Sequence, residues 1–353
     1  SFLFYAPPST HLQAYLHIYD RAPKTRHPWG GRMHNRNLAP MTVEEVLDWL
    51  EEGRVSPAEA FALFRTIGER VEIVNSQPKE TQEKLKDVLA ELDGLIGLTE
   101  VKQLVREIQA FVQIQKRRAE ERLVPEPLVL HTIFRGNPGT GKTTVARILG
   151  RMFRHMGVLP RGHLVEVERA DLVGEYIGHT AQKTREQIRK AMGGILFIDE
   201  AYSLARGGEK DFGKEAIDTL VKAMEDHKQE FILILAGYTD EMNFFLQSNP
   251  GLRSRFPIHI DFPDYNAQEL LAIAELMLEK RQYKLSEAAR RRLALLIQRG
   301  LRSDSYTFGN ARTVRNWIEL AIRRQAVRLV QKPGEVTRED LMYIEAEDFG
   351  EGL

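Results

Sequence analysis

The spacing of apolar residues changes several times along the chain, and each change marks a different kind of structure. Residues 1–40 show neither the two-residue period of a strand nor the 3.6-residue period of a helix. They are rich in proline and basic side chains, so we expect a largely disordered segment. Residues 41–75 show two helical periods, each preceded by a capping residue, Thr42 and Ser56. These predict a helical hairpin, followed by a polar linker and helix over 76–91.

Short apolar runs alternate with helical periods over residues 92–264, which is the pattern of a parallel sheet with helices on both faces. The runs Ile195–Ile198 and Phe231–Gly237 are continuously apolar, as central strands buried on both faces are. Helical periods alone follow over 265–353. The predicted fold class is therefore α/β, followed by a small all-helical domain and preceded by the hairpin over 41–75.

Composition narrows the class of protein. The 50 Lys and Arg balance the 50 Asp and Glu, so the chain has no net charge that would favour binding to nucleic acid or to a membrane surface. The chain has no cysteine, which excludes disulfides, thiol catalysis and zinc–cysteine sites and suits a reducing compartment. No apolar run approaches the about 18 residues of a membrane-spanning helix. We expect a cytoplasmic protein.

A glycine-rich turn joins the predicted strand Leu130–Phe134 to the predicted helix Thr143–Phe153, and it follows the pattern G-x-x-x-x-G-K-[ST]. The backbone N–H groups of such a loop surround a triphosphate, and the positive end of the helix faces the same charge. Lys142 would reach the β- and γ-phosphates, and the Thr143 hydroxyl would bind Mg²⁺. An ordinary Gly/Pro turn is the alternative, but this context favours ATP binding. The predicted ATP-binding residues of the loop are Gly136, Asn137, Pro138, Gly139, Thr140, Gly141, Lys142, Thr143 and Thr144.

Two carboxylates, Asp199 and Glu200, directly follow the buried run Ile195–Ile198. Open α/β sheets bind ligands at the carboxyl ends of their strands. Asp199 would hold Mg²⁺ there, and Glu200 would polarise a water for in-line attack on the γ-phosphate. A solvated acidic pair is the alternative, but beside a P-loop hydrolysis is favoured. Because the nucleophile would be water, we expect a Mg²⁺-dependent ATPase and not a kinase.

Three arginines are candidates for completing a phosphate site. Arg253 and Arg255 precede an apolar strand at the edge of the α/β domain. From there an arginine could stabilise the transferred phosphoryl group of a neighbouring subunit, which would make the active site shared. Arg312 begins a helix of the C-terminal domain, from which it would couple that domain to the nucleotide. Solvated surface arginines are the alternative reading.

The stretch Tyr176, Ile177 and Gly178 lies on a loop between a strand and a helix that begins near Thr180. An aromatic residue beside an aliphatic residue and a glycine makes a mobile apolar finger. Judged by periodicity alone, packing against the core would be the more common fate of Tyr176.

Together these motifs resemble the AAA+ ATPases, and within them the CbbX / stage V sporulation protein K family, most closely its sporulation branch. The resemblance covers roughly Leu85 to Phe349 and implies a P-loop NTPase sheet followed by a helical lid. Its most specific segments are "GNPGTGKTTVAR", "ERADLVGEYIGHTAQKT" and "GGILFIDEAYSL".

The family implies roles for single residues. Tyr176, Ile177 and Gly178 match a pore loop that grips a polypeptide, and Arg255 matches an arginine finger acting on the neighbouring subunit, with Arg253 as second candidate. Arg312 matches a sensor arginine of the lid. The remaining matches are Ile96 and Gly97 as contacts of the adenine base. The stretch Ala205–Gly213 lies where a second pore-facing loop is expected.

The family also implies partners: a homohexameric ring, ATP with Mg²⁺, and a protein substrate, in the mother-cell cytoplasm if the sporulation branch applies.

One departure from the family pattern concerns the residue after the fourth strand. Many relatives have a water-orienting asparagine there, whereas this chain has Tyr238, Thr239 and Asp240, so Thr239 is the candidate. A nucleotide-gated scaffold and a Rubisco-activase-like remodeller remain alternatives, and nucleic-acid loading is disfavoured by the zero net charge.

Overall fold

The chain divides into two compact units, Ser1–Val74 and Asn75–Leu353. The residues that the computed structural model describes are Val46, 82–124, 126, 128–176, 178–206, 212–302 and 308–350, without the side chain of Pro250. The predictions for 1–40 and 41–75 therefore lie outside the described residues, apart from Val46, which is helical and buried.

A parallel five-stranded sheet forms the centre of the second unit, in the order β2-β3-β4-β1-β5. The strands are β1 (Thr132–Gly136), β2 (Leu164–Val167), β3 (Ile195–Ile198), β4 (Ile232–Gly237) and β5 (Ile258–Phe262). Every residue of β3 and β4 is buried, as their continuous apolar character predicts. The sheet confirms the predicted α/β class.

Helices cover both faces of this sheet. They are α1 (82–93), α2 (Thr99–Glu120), α3 (Lys142–His155), α4 (Arg169–Leu172), α5 (His179–Ala191), α6 (Gly213–Asp226), α7 (Thr239–Ser248) and α8 (Pro250–Arg253). Because neighbouring residues of a strand point to opposite faces, Phe134 joins an apolar cluster with α2 and α3, while Ile133 joins another with α5, α6 and α7. The sheet is thus held between two apolar layers.

A smaller helical part, the lid, follows β5. Its helices are α9 (Ala267–Glu279), α10 (Glu287–Arg302), α11 (Asn310–Gln331) and α12 (Arg338–Met342). The lid also contains one feature that the sequence pattern missed, a parallel pair of two-residue strands, β6 (Lys284–Leu285) and β7 (Tyr343–Ile344). Strands of this length are too short to give a periodic signal.

The lid and the sheet share one apolar core. Leu270 of α9 and Val314 of α11 belong to the same buried cluster as Phe262 of β5. This shared core brings the N-terminus of α11 to the carboxyl edge of the sheet, where the site lies. Among the described residues, no helix combines the length and apolar character needed to cross a bilayer.

Candidate active site

A cavity of about 390 Å³ opens between the carboxyl ends of the strands and the lid. This volume is in the range of pockets that hold small ligands and cofactors. From the α/β part it is lined by Leu95, Ile96, Leu98, Pro138, Gly139, Gly141, Lys142, Thr143, Thr144, Asp199, Glu200, Gly237 and Tyr238. From the connection to the lid and the lid itself it is lined by Tyr265, Ile273, Leu276, Met277, Lys280, Ala311, Arg312 and Arg315. Most of the predicted nucleotide and Mg²⁺ residues therefore meet in one place.

The P-loop ends in helix α3, which begins at Lys142 with Gly141 as its N-cap and without a side-chain cap. The first N–H groups of the helix are therefore available to an anion. Gly139 (φ 72°) and Gly141 (φ 98°) adopt left-handed backbone conformations that favour glycine. The Lys142 ammonium donates to the carbonyl oxygens of Gly136 and Asn137, at 2.8 Å each.

Burial sets the electrostatics of this lysine. It lowers the pKa of Lys142 to about 8, against the smaller opposing effect of the Asp199 carboxylate. A polyphosphate beside the ammonium would favour its charged form. The loop is thus a cationic site whose charge a bound anion would strengthen.

Asp199 and Glu200 stand at the end of β3, as predicted, and both line the cavity. Glu200 has a left-handed backbone (φ 46°), which is uncommon for a residue with a Cβ and favours the tight turn into the following 3₁₀ turn, Ala201–Ala205. Its N–H donates to Asp199 Oδ1 at 3.0 Å. Among the described residues no ion pair involves the Glu200 carboxylate, which lines the cavity.

Thr143 and Asp199 both line the cavity and offer a hydroxyl and a carboxylate, which are oxygen ligands of the kind that Mg²⁺ takes. The described residues contain no group of three or more His, Asp or Glu side chains arranged to hold a metal ion by themselves.

Part of the cavity lining is apolar. Ile96 and Leu98 contribute to it from the α/β part, and Ile273 and Met277 contribute to it from α9. Apolar lining of this kind suits the faces of a flat base. Gly97 does not line the cavity: its backbone is left-handed (φ 64°), and a Cβ there would lie 2.5 Å from Glu269 Oε1. The structure therefore gives Gly97 a supporting position in the turn next to Ile96.

Tyr238, which the sequence did not single out, lines the cavity after β4. Its ring stacks on Tyr202, with centroids 5.8 Å apart, and burial together with the nearby Glu200 charge raises the pKa of its hydroxyl. Thr239 is the exposed first residue of α7 and does not line the cavity. A sensor role for Thr239 stays a prediction, now without a cavity contact to support it.

Two lid arginines reach the cavity, Arg312 as predicted and Arg315 about one turn later, together with Lys280 at the end of α9. Arg315 follows Arg312 at the spacing of one helical turn, whereas nothing in the sequence pointed to Lys280. The lid thus contributes three positively charged side chains to the cavity that Asp199 and Glu200 also line.

Arg253 and Arg255 do not line the cavity of their own chain. The Arg255 guanidinium forms an ion pair with Glu225 of α6 and donates to the carbonyl oxygen of Gly251 at 2.5 Å. Arg253 is exposed at the end of α8. Within one subunit the structure therefore separates these arginines from the phosphate-binding loop.

Tyr176 also lies away from the cavity. Its side chain is 66 % exposed and contacts His179 edge-on, with ring centroids 5.5 Å apart. The alternative that it packs into the core is wrong. Gly178 (φ 82°) is the N-cap of α5, and Ile177 lies outside the described residues.

Comparison with known proteins agrees with this geometry. Residues 132–264 match the family described as "ATPase family associated with various cellular activities (AAA)", and residues 266–352 match the AAA lid domain. The chain is 56 % identical to stage V sporulation protein K of Bacillus subtilis (strain 168) over 266 residues, 75 % of this chain and 82 % of that protein.

Two further relatives are matched over most of their own length. The chain is 46 % identical to the chloroplastic ribulose bisphosphate carboxylase/oxygenase activase of Cyanidioschyzon merolae (strain NIES-3377 / 10D), over 78 % of this chain and 94 % of that protein. It is 49 % identical to protein CbbX of Cereibacter sphaeroides, over 69 % of this chain and 79 % of that protein. The chain therefore belongs to the AAA+ ATPases, in the family that holds stage V sporulation protein K and CbbX, and it hydrolyses ATP.

Proposed function

We propose that the chain assembles into a homohexameric ring in which Mg²⁺-dependent ATP hydrolysis remodels, or partly threads, a protein substrate in the cytoplasm. The observation that carries the proposal is that one subunit gathers Lys142, Asp199 and Glu200 around a cavity but keeps Arg255 outside it. Arg312 and Arg315 reach the cavity from the lid of the same subunit, and we assign the role of arginine finger to Arg255 of a neighbouring copy of the chain. In a closed ring every subunit gives one arginine and receives one.

The chemistry at each shared site follows from the residues that line the cavity. Lys142 and the N-terminus of α3 bind the phosphates, and Ile96 packs on the base. Thr143 and Asp199 would hold Mg²⁺, which would neutralise phosphate charge when bound. Glu200 accepts a proton from the attacking water, and Arg255 of the next subunit stabilises the charge on the transferred phosphoryl group.

Force on a substrate would come from the lid and from Tyr176. Arg312 lies on the lid and lines the nucleotide cavity, so loss of the γ-phosphate changes a contact between the lid and the α/β part. The exposed Tyr176 is available to grip a polypeptide because its ring contacts little of its own subunit. The 56 % identity to stage V sporulation protein K supports a role in spore maturation.

The experiment that tests the shared site compares two variants of one ion pair. Arg255→Ala removes the guanidinium, and Glu225→Gln breaks the same intrasubunit ion pair but keeps the guanidinium. We expect Arg255→Ala to lower kcat by about 10³-fold or more, as loss of an arginine finger does. We expect Glu225→Gln to keep turnover within a few-fold of wild type. Equal loss in both variants would mean that Arg255 only stabilises its own subunit.

Two other functions are candidates. The 46 % identity to a Rubisco activase favours remodelling of that enzyme as a second candidate. A nucleotide-gated scaffold is the third, and Tyr176→Ala separates it from threading. If Tyr176→Ala keeps ATPase activity and the biological function, the chain acts as a scaffold; if it keeps ATPase activity and loses the function, the pore-loop proposal is supported.

A further inference from the structure

Three polar side chains join the P-loop to the start of the lid helix α11, and we call them the hinge triad: Asn137, Asp264 and Asn310. The Asn137 amide donates to both carboxylate oxygens of Asp264, at 3.0 and 2.9 Å. The Asn310 amide donates to Asp264 Oδ1 at 2.8 Å. One carboxylate is therefore shared between the phosphate-binding loop and the lid.

Asn310 makes more contacts than this one. Its side-chain nitrogen also donates to the Pro138 carbonyl oxygen at 3.4 Å, and its side-chain oxygen accepts from the Tyr265 N–H at 3.1 Å. The residue is 1 % exposed and has a left-handed backbone (φ 48°). Asparagine tolerates this conformation better than most residues, but it persists only where the surroundings hold it. The position is thus fixed by both the α/β part and the lid.

Around the hinge triad, the backbone of the P-loop also lies close to the start of α11 and to Tyr265. A Cβ on Gly139 would lie 2.3 Å from the carbonyl oxygen of Gly309, the residue before Asn310. The Tyr265 hydroxyl donates to the carbonyl oxygen of Thr140 at 3.1 Å. The P-loop therefore cannot shift without moving the start of α11 or breaking these contacts. Arg312, which lines the cavity, is two residues further along the same helix.

We propose that Asn310 is a positioning residue, through which the occupancy of the P-loop sets the direction of the lid and of Arg312. The inference rests on ATP binding in this cavity and deepens the proposed function. Lys142 donates to the carbonyl oxygens of Gly136 and Asn137. Phosphates compete for that ammonium, so they release the backbone at residue 137. A shift of Asn137 moves the start of the lid helix, because Asp264 is hydrogen-bonded to both Asn137 and Asn310.

The experiment measures lid position directly. The chain has no cysteine, so Gln247→Cys on α7 and Val330→Cys on α11 can carry a pair of spin labels without background. Both positions are exposed. The labels are placed in the full-length Glu200→Gln chain so that ATP is not consumed, and the distance distribution is recorded by pulsed EPR with and without Mg·ATP. ATP binding is measured separately with a fluorescent analogue.

The test variant is Asn310→Gly, which accepts the left-handed backbone but removes the amide. Its matched control is Gln325→Ala, since Gln325 is also buried (3 % exposed). Among the described residues its amide donates to three carbonyl oxygens of the lid, those of Asp340, Leu341 and Tyr343. We expect the ATP-dependent distance change to be lost in Asn310→Gly and kept in Gln325→Ala. In the hydrolysing chain we expect kcat to fall about tenfold in Asn310→Gly, in line with the loss of a hydrogen bond to a charged group.

Exchanging the amide of Asn310 with the carboxylate of Asp264 distinguishes the loss of this hydrogen bond from a general loss of stability. Asn310→Asp places a second carboxylate against Asp264, and the double variant Asn310→Asp with Asp264→Asn restores one amide–carboxylate bond with the roles exchanged. We expect the double variant to recover part of the distance change that Asn310→Asp loses. An unchanged ATP response in Asn310→Gly overturns the inference and leaves the proposed function intact. If the Glu200→Gln chain itself binds no ATP, the proposed function fails as well.

Discussion

The buried lysine of the P-loop makes nucleotide affinity depend on pH in a predictable direction. Burial holds the pKa of Lys142 at about 8. A bound triphosphate favours the ammonium and returns the pKa toward or above the ordinary value of about 10.4. Because the bound state holds the proton more tightly, binding takes up protons wherever pH lies between the two pKa values. Affinity therefore falls as pH rises above about 8.

The size of this effect follows from the pKa. If only the ammonium form binds, the fraction of competent protein falls from about nine-tenths at pH 7 to about one-tenth at pH 9. This weakens binding by about tenfold, or about 1.4 kcal/mol. The terminal phosphate of a nucleotide ionises with a pKa of about 6 to 7, so its own titration ends below this range.

Isothermal titration calorimetry of Mg·ADP at pH 7.5, 8.5 and 9.5 measures the affinity. Repeating each titration in two buffers of different ionisation enthalpy gives the number of protons taken up. The matched control is Lys142→Arg, because a guanidinium stays charged over this range and has no such dependence. A wild-type affinity that is flat from pH 7.5 to 9.5, with no proton uptake, would refute the assignment of Lys142 as the buried phosphate cation.

Three further predictions follow from single residues. Glu200→Gln should keep nucleotide affinity and lower kcat by at least about 10²-fold, because the general base is lost; single-turnover kinetics with full hydrolysis would contradict this. Gly139→Ala should lower thermal stability and nucleotide affinity, because its φ of 72° and the 2.3 Å approach to Gly309 leave no room for a Cβ. An unchanged melting temperature would count against it. Phe134→Ala removes a side chain that is 0 % exposed and should cost about 3–5 kcal/mol of unfolding free energy in urea titrations; a loss below 1 kcal/mol would show a loosely packed core.

Local spacing was sufficient to predict most of the sheet and the phosphate site. A P-loop works through consecutive residues, and β3 carries its two carboxylates on adjacent positions, so Lys142, Asp199 and Glu200 could be assigned without knowing what surrounds them. The predicted start of α5 near Thr180 agrees with the observed His179 for the same reason.

The remainder of the site depends on contacts between distant parts of the chain. Asp264 and Asn310 are 46 positions apart, and nothing in either segment shows that they meet. Tyr238 was passed over because an asparagine was expected near its position, whereas the structure places its ring against Tyr202. The ion pair between Arg255 and Glu225 spans 30 positions and is equally invisible to periodicity. Such pairings are set by the packing of the sheet and its helices, not by local sequence.

The central claim is that each active site is built from two subunits, and mixing two inactive chains tests it most directly. Lys142→Ala removes the cation of the P-loop, and Arg255→Ala removes the arginine that a subunit supplies to the active site of its neighbour. In a ring assembled from equal amounts of both chains, about one interface in four joins an intact loop to an intact arginine. We expect the mixture to recover about a quarter of wild-type ATPase activity, although each chain alone is inactive. A mixture of co-assembled chains that stays as inactive as its two components would contradict the shared site.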